Sequence, residues 1–177
     1  MRVISGSLKG RVFESPHGHR THPMSDKVRG AIFGVLGDIG GLTVLDAFAG
    51  SGAIAIEALS RGAAAATLIE VDKGAHAIVE KNLDALGLDE QAQAVRAYFN
   101  AWSTRHQNQQ FDLVFADPPY DNIPWRDLKV LHRHVADEGL VVLSWPGKID
   151  WPALESLTMI QNREYGDAQL VFYRKTS

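Results

Sequence analysis

Leu42-Thr43-Val44-Leu45-Asp46-Ala47-Phe48-Ala49-Gly50-Ser51-Gly52 decides how the rest of the chain is read. Residues 42–45 form a short apolar run, which predicts a buried strand. A glycine-bearing loop follows, and residues 52–61 then carry a helical pattern. Glycines at such a turn let the backbone bend sharply and approach a ligand with no Cβ in the way. Gly50-x-Gly52-x-x-Ala55 also matches the permissive dinucleotide fingerprint, a weak signal when it stands alone.

Outward from this unit, strands and helices alternate. Residues 67–69 predict a second strand and 73–86 a second helix closed by Gly87. Weaker strand character covers 92–96, and Phe111 to Phe115 is a fourth strand. A helix is expected near 125–135 and a fifth strand at 140–143. Residues 157–164 and 168–174, with Gly166-Asp167 between them, read as a hairpin. Upstream, 2–5 and 11–14 read as a small β-hairpin. A polar loop with Pro16, Gly18 and Pro23 follows, then a helix capped at Ser25 or Asp26. This alternation predicts an α/β fold, Rossmann-like, with a seven-stranded, mostly parallel sheet and an antiparallel C-terminal hairpin. Two units are expected: a hairpin and loop at 1–24, and a main domain at 25–177. In such sheets ligands bind beyond the carboxyl ends of the strands, at the point where strand order reverses.

Strand ends therefore supply the candidate ligand residues. Asp46 ends the first strand and Glu70 the second. An acid at the second strand can accept from ribose hydroxyls, which suits NAD, FAD or S-adenosylmethionine alike. Asp46 discriminates among them. A carboxylate sits poorly beside a pyrophosphate and suits a cation, and S-adenosylmethionine carries a sulfonium and an ammonium with no phosphate. The expected cofactor-binding set is Asp46, Phe48, Ala49, Gly50, Ser51, Gly52, Glu70, Val71, Tyr98 and Phe99. Either aromatic can pack on an adenine face, and Asn100 can reach its edge. Asp72 reads as a helix N-cap.

Asp117-Pro118-Pro119-Tyr120 follows the fourth strand directly. Two prolines fix φ and remove two backbone donors, so the loop presents mainly acceptors. An exocyclic amine offers two hydrogens to the Asp117 carboxylate and the Pro118 carbonyl, and Tyr120 can stack on the attached base. Asp117 can also take the surplus proton. Asp117, Pro118 and Tyr120 are the expected catalytic residues.

Composition bounds the setting. The chain has 177 residues, no cysteine and a net charge of −3, so disulfides and thiolate metal sites are excluded. No apolar run reaches the length of a membrane span and no signal-peptide pattern opens the chain, which predicts a cytoplasmic protein. Residues 1–40 hold six Lys/Arg against three acids, leaving −6 on the remainder. A basic N-terminal edge facing phosphates follows, with Lys9, Arg11, Arg20, His22 and Arg29 as nucleic-acid-binding candidates.

With both loops placed, the chain resembles class I methyltransferases of the Asp/Asn-Pro-Pro-Tyr/Phe type. More narrowly, it resembles the bacterial family that makes N2-methylguanine in 16S ribosomal RNA. Ile4-Ser5-Gly6, Lys9-Gly10-Arg11, Pro23 to Arg29, Asp46 to Gly52, Glu57 to Ala63 and Asp117 to Tyr120 carry the resemblance. It implies S-adenosylmethionine held by residues 46–52 and Glu70, and Asp117 to Tyr120 acting on a guanine N2. It also implies a substrate within the small subunit or an assembly intermediate; beside it, a monomer is expected. The family usually has Arg at the position of His22, and often a carboxylate or amide at that of Tyr98. Three alternatives stand beside this reading. They are a DNA adenine-N6 or cytosine-N4 methyltransferase, an NAD-dependent oxidoreductase and a non-catalytic RNA-binding assembly factor.

Overall fold

The computed structural model describes residues 1–16 and 24–176. The expected strand–loop–helix is β1 (Thr43–Asp46) followed by α2 (Ala53–Ser60). Preceding it is α1 (Asp26–Leu36), whose N-cap Ser25 accepts from the Val28 amide. After α2 come β2 (Ala65–Glu70), α3 (Lys73–Leu86), β3 (Ala92–Arg96), α4 (Phe99–Arg105) and β4 (Phe111–Ala116). The chain ends with α5 (Trp125–Leu128), a 3-10 turn (Leu131–His134), β5 (Val135–Pro146), β6 (Leu157–Tyr165) and β7 (Ala168–Lys175). The seven strands form one sheet in the order β3-β2-β1-β4-β5-β7-β6. Strands β1 to β5 pair in parallel, while β7 runs antiparallel to both β5 and β6. Among the described residues no helix is long and apolar enough to cross a membrane.

The order reverses at β1, which lies between β2 and β4. The loops after β1 and β4 therefore emerge side by side, with Asp46 opposite Phe115 and the Ala47 amide donating to the Phe115 carbonyl at 2.9 Å. One face of the sheet packs on α1, α2 and α3 through Ile32, Phe33, Ile54, Ile56 and Val79. The other packs on α4 and the segment after β4 through Phe99, Trp102, Leu128, Leu131 and Trp145. Each face thus buries its own apolar layer.

Three elements differ from expectation. The N-terminal hairpin survives only as a single antiparallel bridge, Arg2↔Val12. Across it the Val3 and Phe13 amides donate to the Arg11 and Met1 carbonyls at 2.9 and 3.0 Å, while the donors of the connecting segment go to α2. Ile4 and Ser5 donate to the buried Glu57 carboxylate at 2.8 and 3.0 Å, and Ser7 and Leu8 donate to the carbonyl and hydroxyl of Ser60. Gly6, at φ +87°, presses so close that a Cβ would lie 1.8 Å from the Ser60 carbonyl oxygen. Second, the helix expected at 125–135 breaks into α5 and the 3-10 turn, and β5 starts at Val135, earlier than residue 140. Third, α4 carries no helical signal in the sequence, because Asn, Trp, Ser and Thr are weak helix formers; burial of Phe99, Trp102 and Ser103 on one face overrides that propensity.

Glu57 ties the N-terminal segment to the helix that carries the glycine loop. It also accepts from Arg61 Nε at 2.8 Å. Glu57→Ala would leave the Ile4 and Ser5 amides without their acceptor. The expected loss is about 3–5 kcal/mol of unfolding free energy in urea titration. A loss below about 1 kcal/mol would show that this anchor is dispensable.

Candidate active site

Two glycines shape the loop after β1. Gly52 begins α2 in the left-handed region at φ +79°, where an added Cβ would crowd a Leu68 methyl at 3.1 Å. Gly50, at φ +57°, faces open space, with nothing within 4 Å of an added Cβ. A ligand can therefore approach the backbone at Gly50. The Gly50 amide donates to Glu70 Oε2 and the Asp72 amide to Glu70 Oε1, both at 2.8 Å. Those two bonds fix the Glu70 carboxylate at the end of β2 and leave it acceptor capacity for further donors. Asp72 caps α3 through the Ala75 amide.

Asp46 is 1% exposed, and its Oδ1 has no hydrogen-bond partner. Burial, then the charges of Asp117 and Glu70, push its carboxyl up to about 7, against amide bonds from Phe48 and Ala55 that pull it down. A buried carboxylate with an orphaned oxygen among two other carboxylates fits a ligand that brings positive charge or N–H donors.

The remaining expected ligand residues divide by position. Val71 and Tyr98 are exposed, and Phe48 is half-buried. The Phe99 ring is buried, stacked 5.8 Å from Trp102 and tilted against Phe48 at 6.3 Å, so it serves the core and does not line an open surface. Ala49 is buried, its amide donating to Ile69. Buried Ser51 is held by Asn82, whose Nδ2 donates to its carbonyl at 3.0 Å. A cavity of about 490 Å³ opens between Tyr98 and Asn100 on one side and Ile123 to Asp127 on the other. Asp127 rims it and accepts the Asn100 amide at 2.6 Å, which fixes the start of α4.

Asp117 follows β4, one strand from Asp46. Burial pushes its carboxyl above the ordinary carboxylate range, and a hydrogen bond from the Ser144 hydroxyl holds it down. Strand register explains the neighbour: Ala116 pairs with Leu143, which brings Ser144 beside Asp117. The same Ser144 hydroxyl lies 2.6 Å from the Tyr120 phenol. Burial raises that phenol's pKa, so it stays protonated. One hydroxyl can thus accept from Tyr120 while donating to Asp117. Pro118 is buried, whereas Pro119 and Tyr120 are exposed. Ser144 was missed in the sequence. Its signal was a lone hydroxyl at the carboxyl end of an apolar strand.

The expected nucleic-acid residues are scattered. Lys9 is exposed. Arg11 is exposed but donates through Nη2 to the Ala85 carbonyl, at the C-terminus of α3. Arg29 corrects the reading: it is fully buried, donating to the Arg2 carbonyl at 2.6 Å and to Asp26 at 3.0 Å, 3.8 Å from Glu57. It braces the N-terminal segment and cannot meet a phosphate there. Arg20 and His22 lie outside the described residues.

A family model described as conserved hypothetical protein 95 matches residues 1–174. A Bacillus subtilis (strain 168) protein named "Putative rRNA methyltransferase YlbH" is 34% identical over 182 residues, spanning 99% of both chains. "Ribosomal RNA small subunit methyltransferase D" of Escherichia coli K12 is 40% identical over 122 residues, 68% of this chain and 60% of that protein. The solved structure of the Escherichia coli protein named "Putative methyltransferase yhhF" superposes with a TM-score of 0.88 at 30% identity, covering 99% of this chain and 98% of that one. The Bacillus subtilis relative and the yhhF structure match this chain over its full length, and the sheet with its antiparallel end is shared with Rossmann-like methyltransferases.

Asp46 makes a testable demand on stability. Between the unfolded value near 3.8 and the folded value of about 7, the folded chain holds a proton that the unfolded chain has released. Asp46 therefore costs stability as pH rises through that window. Asp46→Asn should flatten this fall and raise the urea midpoint at pH 8 relative to the unsubstituted chain. Parallel pH profiles for the two proteins would rule out a buried, proton-retaining Asp46.

Proposed function

The chain belongs to the conserved hypothetical protein 95 family, and from that premise we propose that it transfers a methyl group from S-adenosylmethionine to the N2 amine of a guanine in 16S ribosomal RNA. The observation that carries the proposal is the pairing of two strand ends at the switch point. A cation-seeking Asp46 ends β1, and an acceptor-rich Asp117-Pro118-Pro119-Tyr120 loop follows β4 beside it. The relatives named as ribosomal RNA methyltransferases support the substrate class.

The residues present fit the cofactor. Asp46 offers an unpaired oxygen to its ammonium, Glu70 offers acceptors to its ribose hydroxyls, and the open backbone at Gly50 admits it closely. S-adenosylmethionine, when bound, supplies an electrophilic methyl on a sulfonium that departs as a neutral thioether. The chain's own residues handle the amine. Asp117 accepts one N–H of the target amine and the Pro118 carbonyl accepts the other. This draws the nitrogen lone pair out of the ring. Tyr120 stacks on the base and holds its plane, with its phenol tied to Ser144. As the new N–C bond forms, the amine loses one proton. Asp117, whose proton affinity is raised by burial, is placed to receive it. The base must leave its stack to enter, which a single-stranded RNA loop makes less costly.

Incubation with S-adenosylmethionine and, separately, undermethylated small subunits, naked 16S RNA and DNA tests the reading. Mass spectrometry of the digested product should find N2-methylguanosine from the ribosomal substrate. N6-methyladenine or N4-methylcytosine from DNA would replace the reading with its alternative. Asp117→Ala should abolish turnover while cofactor affinity stays within a few-fold; normal turnover would sink the mechanism. Ser144→Ala removes a bond that lowers the Asp117 pKa, so the acidic limb of the pH–kcat profile should move to higher pH, and Ser144→Thr should restore it. An unmoved limb would show that Ser144 does not tune Asp117.

A further inference from the structure

Among the described residues, the exposed aromatic side chains are Tyr98, Tyr120, Trp125 and Trp151, and all four follow the carboxyl ends of parallel strands. Tyr98 follows β3, Tyr120 and Trp125 follow β4, and Trp151 follows β5. The two tryptophans are 50% and 37% exposed, whereas the other two, Trp102 and Trp145, are 3% and 0%. Leaving large aromatic surface in water forgoes the stabilisation of burial, and clustering such rings at one edge marks a contact surface.

The rings are contiguous with the Asp117 loop. Tyr120 is hydrogen-bonded to Ser144, the residue before Trp145. The Trp125 ring meets that Trp145 edge-on at 5.5 Å, and the Trp145 Nε1 donates to the Asp150 carbonyl at 3.1 Å, next to Trp151. Buried Trp145 is thus a hub flanked by the two segments that carry the exposed rings. Arg126, Lys129 and Lys148 are exposed on the same segments, and none of them forms an ion pair among the described residues. Exposed Asp121 and Asp150 nearly offset these cations. Aromatic faces with interspersed, unpaired cations match the chemistry of single-stranded nucleic acid, whose bases stack on such rings while its phosphates meet such cations. The described N-terminal edge carries exposed Arg2, Lys9 and Lys27 but no exposed aromatic beside them. Arg29 is buried there and Arg11 is tied to α3.

We infer that Trp125 and Trp151 form a stacking platform for unpaired nucleotides flanking the target base, with Arg126, Lys129 and Lys148 meeting their phosphates. The inference rests on the RNA-methylation reading and adds where the strand lies. Nucleotides next to the flipped base leave the catalytic loop towards α5 and the loop after β5. With three phosphate contacts, log K should fall with log salt at a slope of about −2.

The test measures binding of a fluorescent oligouridylate, of the same length in duplex form, and of undermethylated small subunits. Trp125→Ala, Trp151→Ala, Trp125→Phe and the unsubstituted chain are compared. Each alanine substitution should weaken oligouridylate binding about ten-fold, and Trp125→Phe, which keeps a ring against Trp145, should stay within a few-fold. S-adenosylhomocysteine affinity of Trp151→Ala should be unchanged, which separates lost RNA contact from a damaged fold. Oligouridylate affinity unchanged in both alanine variants would overturn the inference, as would equal losses on duplex. Affinity lost for subunits alone would assign the face to a ribosomal protein and overturn it too. The underlying reading fails separately: the unsubstituted protein would then make no N2-methylguanosine, whatever its RNA affinity.

Discussion

Asp46, Glu70 and Asp117 end or follow three adjacent parallel strands, and the flanking charges of Asp117 and Glu70 on the buried Asp46 carboxyl are what the site must offset. Each has a different solution. Glu70 is met by two backbone amides, and Asp117 by the Ser144 hydroxyl. Asp46 has an unpaired oxygen and retains a proton to about 7. A cationic ligand resolves the frustration that the protein alone does not, so binding and deprotonation are coupled at this residue. The same geometry separates two tasks. The β1 and β2 ends address the cofactor, and the β4 and β5 ends address the amine.

This arrangement depends on elements far from it in sequence. Helix α2 is buried along its whole length, between the sheet and the N-terminal segment. Glu57 on that helix gathers the amides of Ile4 and Ser5 and the guanidinium of Arg61, with the Arg29 guanidinium 3.8 Å away. Val3 and Phe13 complete the same apolar layer as Ile54 and Ile56. The start of the chain therefore braces the helix on which the glycine loop turns. On the opposite face, Phe99, Trp102 and His134 pack together and hold α4, and with it Tyr98, at the cavity rim.

Much of this was legible in the sequence because local and global signals agree. The strand–glycine–helix unit at 43–60, the α3 helix between Asp72 and Gly87, and the hairpin about Gly166-Asp167 each carry period and punctuation together. Illegible features needed tertiary partners. Arg29 reads as surface until Glu57 and the Arg2 carbonyl close over it. Phe99 reads as a ligand platform until Trp102 and His134 pack on it. The start of β5 is hidden by Asp137-Glu138-Gly139, where Glu138 adopts φ +62° and breaks the apolar pattern. Ser144 gains meaning only when β4–β5 register brings it to Asp117 and Tyr120.

The most direct measurement is calorimetric titration of the protein with S-adenosylmethionine at pH 6, in buffers of differing ionisation enthalpy. Asp46 is protonated before binding and ionised after it, so the account predicts release of about one proton per bound cofactor, lost in Asp46→Asn. Binding with no proton release, or the same release in both proteins, would contradict it.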